Sequence, residues 1–278
     1  MARERAELGA FLRARRARLT PAQAGIQAFP GPRRVPGLRR EELAVAAGLS
    51  PDYYSRVEQG RQANVSREVL DALARALRLD EVERAHLHDL AAPGRPVPAF
   101  TGERADPGLL RMLAALDHLP ALILGRYGHV LGRTPLLAAV LGHPMPPETS
   151  LIRWVLEDHG ARERIVNWET FARFTVAGLR REQARHPHDR DTRRMIAELR
   201  ASDPLIAAWW DDHEVRDYAS VRKHLRHPIA GDLHFDIEIL AAPHDAHQRL
   251  IVYTCPPGSP TARLLPILRA PDVALIIG

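Results

Sequence analysis

The sequence predicts an α+β protein in two parts: an all-helical N-terminal domain of five helices, then a mixed domain that ends in antiparallel strands. Three observations carry this. Apolar residues recur at helical spacing through residues 1–92. The stretch PGRPVPAFTGERA (93–105) then breaks the pattern with closely spaced prolines, as a linker does. Near the C-terminus, GDLHFDIEILAA sets Leu233, Phe235, Ile237 and Ile239 against His234, Asp236 and Glu238, the period of two of a half-buried strand. The boundaries that follow are 1–92, 93–105 and 106–278.

The totals agree with two folded domains. The chain has 278 residues, 45% apolar and 26% charged. Lys223 is the one lysine among 39 basic residues, so arginine supplies almost every cation. That bias reads as compositional rather than as a sign of phosphate recognition. Nearly all of the formal net charge of +5 falls within residues 1–92, where a nucleic-acid surface would need it. A single cysteine, Cys255, excludes an internal disulfide and a Cys-rich zinc site, and suits a reducing compartment. The N-terminus, MARERAELGAFLRARRARL, is charged throughout, unlike a signal peptide. No apolar run approaches the ~18–20 residues of a membrane span. A cytoplasmic protein with no membrane partner is expected.

In order, residues 3–19 predict a first helix with Leu8, Phe11, Leu12 and Leu19 near one face. Arg13, Arg15, Arg16 and Arg18 at its end either complement the helix dipole or reach phosphates. Residues 20–38 form a Pro/Gly-rich connection carrying Arg33 and Arg34, a solvated loop or a basic arm. A second helix spans 39–47, with Leu43, Ala44 and Ala47 inward. Gly48 supplies the turn. Ser50 as N-cap and Pro51 as first residue then start a third helix to Gln59, with Tyr54 and Val57 inward. Ser66 caps a fourth helix to Leu77, and the Asp80–Glu83 pair opens a fifth to Ala92.

The second domain opens with a helix from Asp106–Pro107 to Leu119, followed by a hairpin, ALILGRY–Gly128–HVLGRT. Helices follow over 135–142, 149–158, 161–185, 189–200 and 203–215. The long one places Ile165, Trp168, Phe171, Thr175 and Leu179 on one face. Strands are expected over GDLHFDIEILAA (231–242) and RLIVYTC (249–255), with a third around 218–227, and Gly258–Ser259–Pro260 starts a last helix.

Helix, Gly-centred turn and a second helix with a polar outer face is the helix-turn-helix arrangement, whose second helix enters a DNA major groove. Pro51, Asp52, Tyr53, Ser55 and Arg56 face outward from that helix. Arg56 is suited to guanine, a pairing that gives ~1–3 kcal/mol of discrimination. Tyr53 can pack on a thymine methyl, and Asp52 either accepts from cytosine or joins Ser50 in capping. Arg39, Arg40, Gln59 and Arg61 sit at helix ends, where phosphates pass. Glu58 reads as a structural partner of an arginine.

The stretch RVPGLRREELAVAAGLSPDYYSRVEQGR resembles the Xre-type helix-turn-helix of transcription regulators. PALILGR (120–126), Trp168, SDPLIAAWWDDHEVRD (202–217), HPIAGDLHFDIEIL (227–240) and LIVYTCPPGSP (250–260) resemble the MmyB-like ligand-binding domain. The resemblance implies a PAS-like fold for the C-terminal domain. It also implies a DNA-binding homodimer on a double-stranded operator, controlled by a small apolar or amphipathic, fatty-acid-like effector. One departure stands out: the family's Ala-Trp-Asn-Pro after the first hairpin is Gly132-Arg133-Thr134-Pro135 here. A buried Arg133 could meet an acidic head group.

Trp154, Trp168, Phe171, Phe174, Trp209, Phe235 and Tyr253, with Arg133, are the candidate effector-lining residues. Singly each aromatic reads as core; together they suit the wall of an apolar cavity. The sequence has no Gly-x-Ser-x-Gly, no His-Glu-x-x-His and no phosphate-cradling glycine loop, so no catalytic residue and no cofactor is expected. His186, His188 and Asp189, and His244 and His247, lie in Pro-punctuated loops, and no metal set is expected from them. Two other readings stay open. One is a constitutive repressor whose second domain only dimerises. The other is an enzyme or carrier whose helical domain mediates protein contacts.

Overall fold

The computed structural model describes residues 2–27, 29, 35, 37–62, 64–92, 103–214, 222–241 and 247–269. The expected basic arm at Arg33–Arg34 and all but the end of the expected 93–105 linker lie outside them. In chain order the helices α1 (Ala2–Arg18), α2 (Pro21–Ala24), α3 (Arg40–Ala46), α4 (Pro51–Glu58), α5 (Arg67–Ala76) and α6 (Glu81–Ala91) come first. Then follow α7 (Pro107–Ala115), β1 (Ala121–Leu124), β2 (Val130–Arg133), α8 (Pro135–Leu141), α9 (Leu151–Glu157), α10 (His159–Arg164), α11 (Trp168–Arg185), α12 (Arg190–Ser202) and α13 (Pro204–Asp211). The chain closes with β3 (Arg222–His227), β4 (Gly231–Ala241), β5 (Arg249–Thr254) and α14 (Pro260–Leu268).

The contacts divide into two compact units. One comprises Met1–Val97, Val176–Arg200 and Ala207–Asp217; the other comprises Pro98–Thr175, Ala201–Ile206 and Tyr218–Gly278. Residues from the second half of the sequence therefore belong to the helix-turn-helix unit.

In the first unit the five expected helices are present as α1, α3, α4, α5 and α6. The connection also holds a single turn, α2, whose cap Thr20 accepts from the Gln23 backbone N–H. Leu8, Phe11, Leu12, Leu43, Tyr54, Val57, Leu70, Leu73 and Leu87 form one buried core, from faces repeating every three or four residues. The starts of α4 and α5 are capped as their local sequence dictates: Ser50 Oγ accepts from Tyr53 N, and Ser66 Oγ from Val69 N. Asp80 and Glu83 cap one another. Gly48 has φ of +67°, the left-handed turn between α3 and α4. The end of α1 does not offer its arginines to the dipole alone. Arg15 donates to His213 O at 2.9 Å and pairs with Glu83 at 2.8 Å, and Arg18 pairs with Asp212 at 2.6 Å.

The second unit holds a five-stranded antiparallel sheet in the order β2-β1-β5-β4-β3. Strand alternation gives it two distinct faces. Leu109 and Leu113 of α7 cover Ala121, Ile123, Leu250 and Val252 on one. The other carries Leu122, Ile251, Tyr253, Ile237, Phe235, Lys223 and Leu225, neighbours by strand register. The expected helix over 161–185 is interrupted at 165–167, giving α10 and α11. The break is a tertiary effect at the edge of the sheet. Val166 N donates to His224 O at 2.8 Å, while the Asn167 side chain donates to Arg222 O and accepts from His224 N. Those bonds replace the helical ones the local sequence favours.

Gly9 of α1 sits where a Cβ would lie 2.2 Å from the Glu58 carbonyl oxygen. Gly9→Ala should therefore destabilise the protein by ~1–3 kcal/mol in denaturant unfolding, through overpacking. Helix propensity alone gives the opposite sign, a gain of about 1 kcal/mol. A stabilised variant would contradict this packing.

Candidate DNA-reading surface and effector site

The recognition helix α4 is fixed from behind by one carboxylate. Glu58 is fully buried at its C-terminal end. Its Oε2 accepts from Arg16 Nε at 2.8 Å and from the Tyr54 hydroxyl at 2.7 Å. Its Oε1 accepts from Arg40 Nε at 2.8 Å and Arg16 Nη2 at 3.1 Å. Arg16 also donates to Leu38 O at 2.6 Å, which ties the segment entering α3. One carboxylate thus joins α1, α3 and α4 through charge-assisted bonds. Burial alone would push the Glu58 carboxyl up, but the bonds from Arg16, Tyr54 and Arg40 outweigh it and hold the group below its usual value. Burial beside this carboxylate pushes the Tyr54 phenol up, so it stays a donor.

On the outer side of α4, Pro51, Asp52 and Arg56 are exposed and Tyr53 and Ser55 half-buried. Tyr53 leans partly onto the core. The cap bond comes from Ser50, so the expected capping role of Asp52 is not realised; Asp52 simply faces out in the first turn. Gln59 donates to Ser55 Oγ at 3.2 Å. Arg39 is the N-cap of α3, and its backbone N–H donates to Glu42 at 2.7 Å. Arg40 is shared with Glu58, whereas Arg56 and Arg61 are exposed with no ion-pair partner among the described residues.

In the second unit, four of the expected effector-lining aromatics gather around a residue the sequence reading passed over. Lys223 is fully buried on the inner side of β3. Its Nζ donates to the Tyr253 hydroxyl at 3.0 Å. It lies 4.3 Å from the Phe171 ring centre, 5.2 Å from that of Tyr253 and 5.6 Å from that of Trp154. Phe235 meets Tyr253 edge to face at 5.6 Å. Burial lowers the Lys223 amine to about 7. The signal was present in the sequence: a lone lysine alternating with Leu225 in RKHLRH.

The remaining candidates lie elsewhere. Trp168 donates its indole N–H to Val155 O at 2.7 Å and carries Arg162 over its ring at 4.0 Å. Phe174 is half-buried farther along α11. Trp209 belongs to the first unit. Arg133 is half-buried, donating to the carbonyls of Met145 and Thr134, and burial lowers its pKa. Its donors Nε and Nη1 are thus engaged by backbone.

Residues 7–87 match a helix-turn-helix domain model, and residues 105–268 match the MmyB-like transcription regulator ligand-binding domain. The protein is a DNA-binding transcription regulator with a ligand-binding domain. The second match spans more than half of the chain, which belongs to the MmyB-like transcription regulators. Among curated proteins no match is found. No helix among the described residues is long and apolar enough to cross a membrane.

Because the Glu58 carboxyl is held below its usual value, its contribution to stability is complete above the unfolded carboxylate pKa. It is lost as pH falls through the lower folded value. Acid titration of the unfolding free energy should show that slope, and Glu58→Gln should lack that component. At neutral pH the same variant should lose roughly 3 kcal/mol, as breaking a buried ion pair does. An unchanged acid slope in Glu58→Gln would remove the carboxylate from this role.

Proposed function

We propose that the protein reads a specific operator through the outer face of α4 and changes its operator affinity when a small effector occupies the C-terminal domain. The observation that carries the first half is the division of arginines around α4. Arg16 and Arg40 are spent on Glu58, while Arg56 and Arg61 project to solvent. Pro51, Asp52, Tyr53, Ser55 and Arg56 form the base-facing set, with Arg56 the guanine reader. Ser50 fixes the start of the helix, and Arg39, Gln59 and Arg61 flank it as phosphate contacts, with Arg40 contributing from its half-exposed position. We assign DNA binding to 1–92 and ligand binding and dimerisation to 106–278, joined by 93–105. The strand order β2-β1-β5-β4-β3 supports a PAS-like reading of the sensor. A homodimer on a pseudo-palindromic duplex would place two α4 helices about one DNA turn, ~34 Å, apart.

The continuity of α11 supports the second half. It runs unbroken from Trp168 to Arg185, and the division into units falls within it, at Val176. Phe171, over the Lys223 amine, and Arg180, bonded to His213 at 2.8 Å, are therefore on one helix. A ligand that binds two positions of α11 unequally would shift the DNA-binding unit between states.

Arg56→Ala should lower the ratio of operator to random-duplex affinity, by ~1–3 kcal/mol at its base pair. Arg61→Ala should weaken both alike and reduce the salt slope by about one counterion. Fluorescence titrations at several salt concentrations separate the two. Equal losses on both duplexes from Arg56→Ala would reassign it to the backbone.

A further inference from the structure

Two buried arginines of the first unit differ in what meets the guanidinium edge. Arg16 presents Nε and Nη2 to the two oxygens of Glu58, the side-on pairing that a planar guanidinium makes with a carboxylate. Arg180, in the part of α11 that belongs to this unit, is only 4% exposed, yet its Nε and Nη2 have no hydrogen-bond partner among the described residues. Its other terminal nitrogen, Nη1, bonds His213 at 2.8 Å and lies 3.8 Å from Glu7, and the guanidinium sits 4.4 Å from the Trp210 ring centre. Burial lowers the Arg180 pKa to about 10, so the group remains a cation at neutral pH. Buried donors without acceptors are costly, and a guanidinium cannot shed them. The open edge of Arg180 is the one Arg16 uses on a carboxylate.

Arg180 also lines a cleft of about 160 Å³, walled by Glu7 of α1, Leu90 of α6, Ala184 of α11, Pro187 and Arg193 of α12, all within the first unit. Drug-sized pockets run to about 300–1,000 Å³, so the occupant here is compact. The charged lining is balanced, with Arg180 and Arg193 against Glu7 and Asp89. Asp89 is engaged by Arg185 at 3.2 Å, whereas Glu7 stands beyond hydrogen-bond length from Arg180. A dianion would meet two carboxylates in this cleft; a zwitterion matches both signs. We propose that the cleft binds a free α-amino acid with a short apolar side chain. Its carboxylate takes the Nε–Nη2 edge of Arg180, its ammonium pairs with Glu7, and its side chain rests on Leu90, Ala184 and Pro187. The site uses no residue of the five-stranded sheet, and it stands independently of the effector reading. Its occupant is a zwitterion that bridges α1 and α11 within the DNA-binding unit.

Calorimetry on the full chain would use L-alanine, L-valine and L-leucine, each beside its deaminated acid and its decarboxylated amine; for valine these are isovalerate and isobutylamine. Methyl spectra of alanine-labelled protein, assigned by comparison with Ala184→Ser, place the ligand. At least one amino acid should bind at millimolar concentration or tighter, shift the Ala184 methyl, and bind tenfold or more tightly than its acid and its amine, since each analogue forfeits one charge-assisted partner. Glu7→Gln, at a partly exposed position, should weaken that amino acid tenfold or more and leave the acid unchanged. Arg180→Lys should weaken amino acid and acid alike. Failure of all three amino acids to bind, binding that leaves the Ala184 methyl unmoved, analogues that bind as tightly as the amino acid, or an unchanged affinity in Glu7→Gln each overturn the proposal. The operator and effector readings stand in every one of those cases.

Discussion

The buried Glu58 carboxylate is the constraint on which the DNA-binding unit depends. Three helices meet at it, and none of their polar groups there could be left unpartnered without cost. Arg16 spans from α1 to both Glu58 and Leu38 O, so the helix before the motif and the entry to α3 are fixed together. Gly9 lets the two backbones approach closely enough for this to happen. The outer face of α4 is presented at a set angle because its inner end is held in this way. Arginine appears in two settings in this unit: Arg16 is buried against Glu58, and Arg56 is exposed on α4.

The ligand-binding domain holds a buried charge of another kind. Glu58 is saturated with donors, whereas Lys223 has the Tyr253 hydroxyl as its acceptor among the described residues. The break before α11, pinned to β3 by Asn167, sets where that helix begins. That helix carries both Phe171 and Arg180. A single helix contributes residues to both compact units.

Features fixed by neighbouring residues were legible in the sequence. Ser50, Ser66, Asp80 and Ser259 cap helices where the local pattern places them, and the alternation around Phe235 marks β4. Features fixed across the fold were not. The helix expected over 161–185 is split by bonds to a strand more than fifty residues away, which no local period can show. Arg15 and Arg18 turn to residues 212–213, and Trp209 falls in the unit opposite to the one its sequence neighbourhood suggested. Lys223 was readable in principle, since it is the one lysine and sits in an alternating run. Of the effector candidates, Trp154, Phe171, Phe235 and Tyr253 converge, while Trp168 and Arg133 bond elsewhere.

The most direct test is the affinity of the wild-type protein for an operator duplex recovered from a random pool, measured without effector and with a saturating small molecule shown to bind it. A ligand-responsive regulator predicts a change of about 5- to 150-fold, the usual range of allosteric coupling. Superimposable isotherms with the probe demonstrably bound would contradict the account, leaving a DNA-binding protein whose ligand domain does not control it.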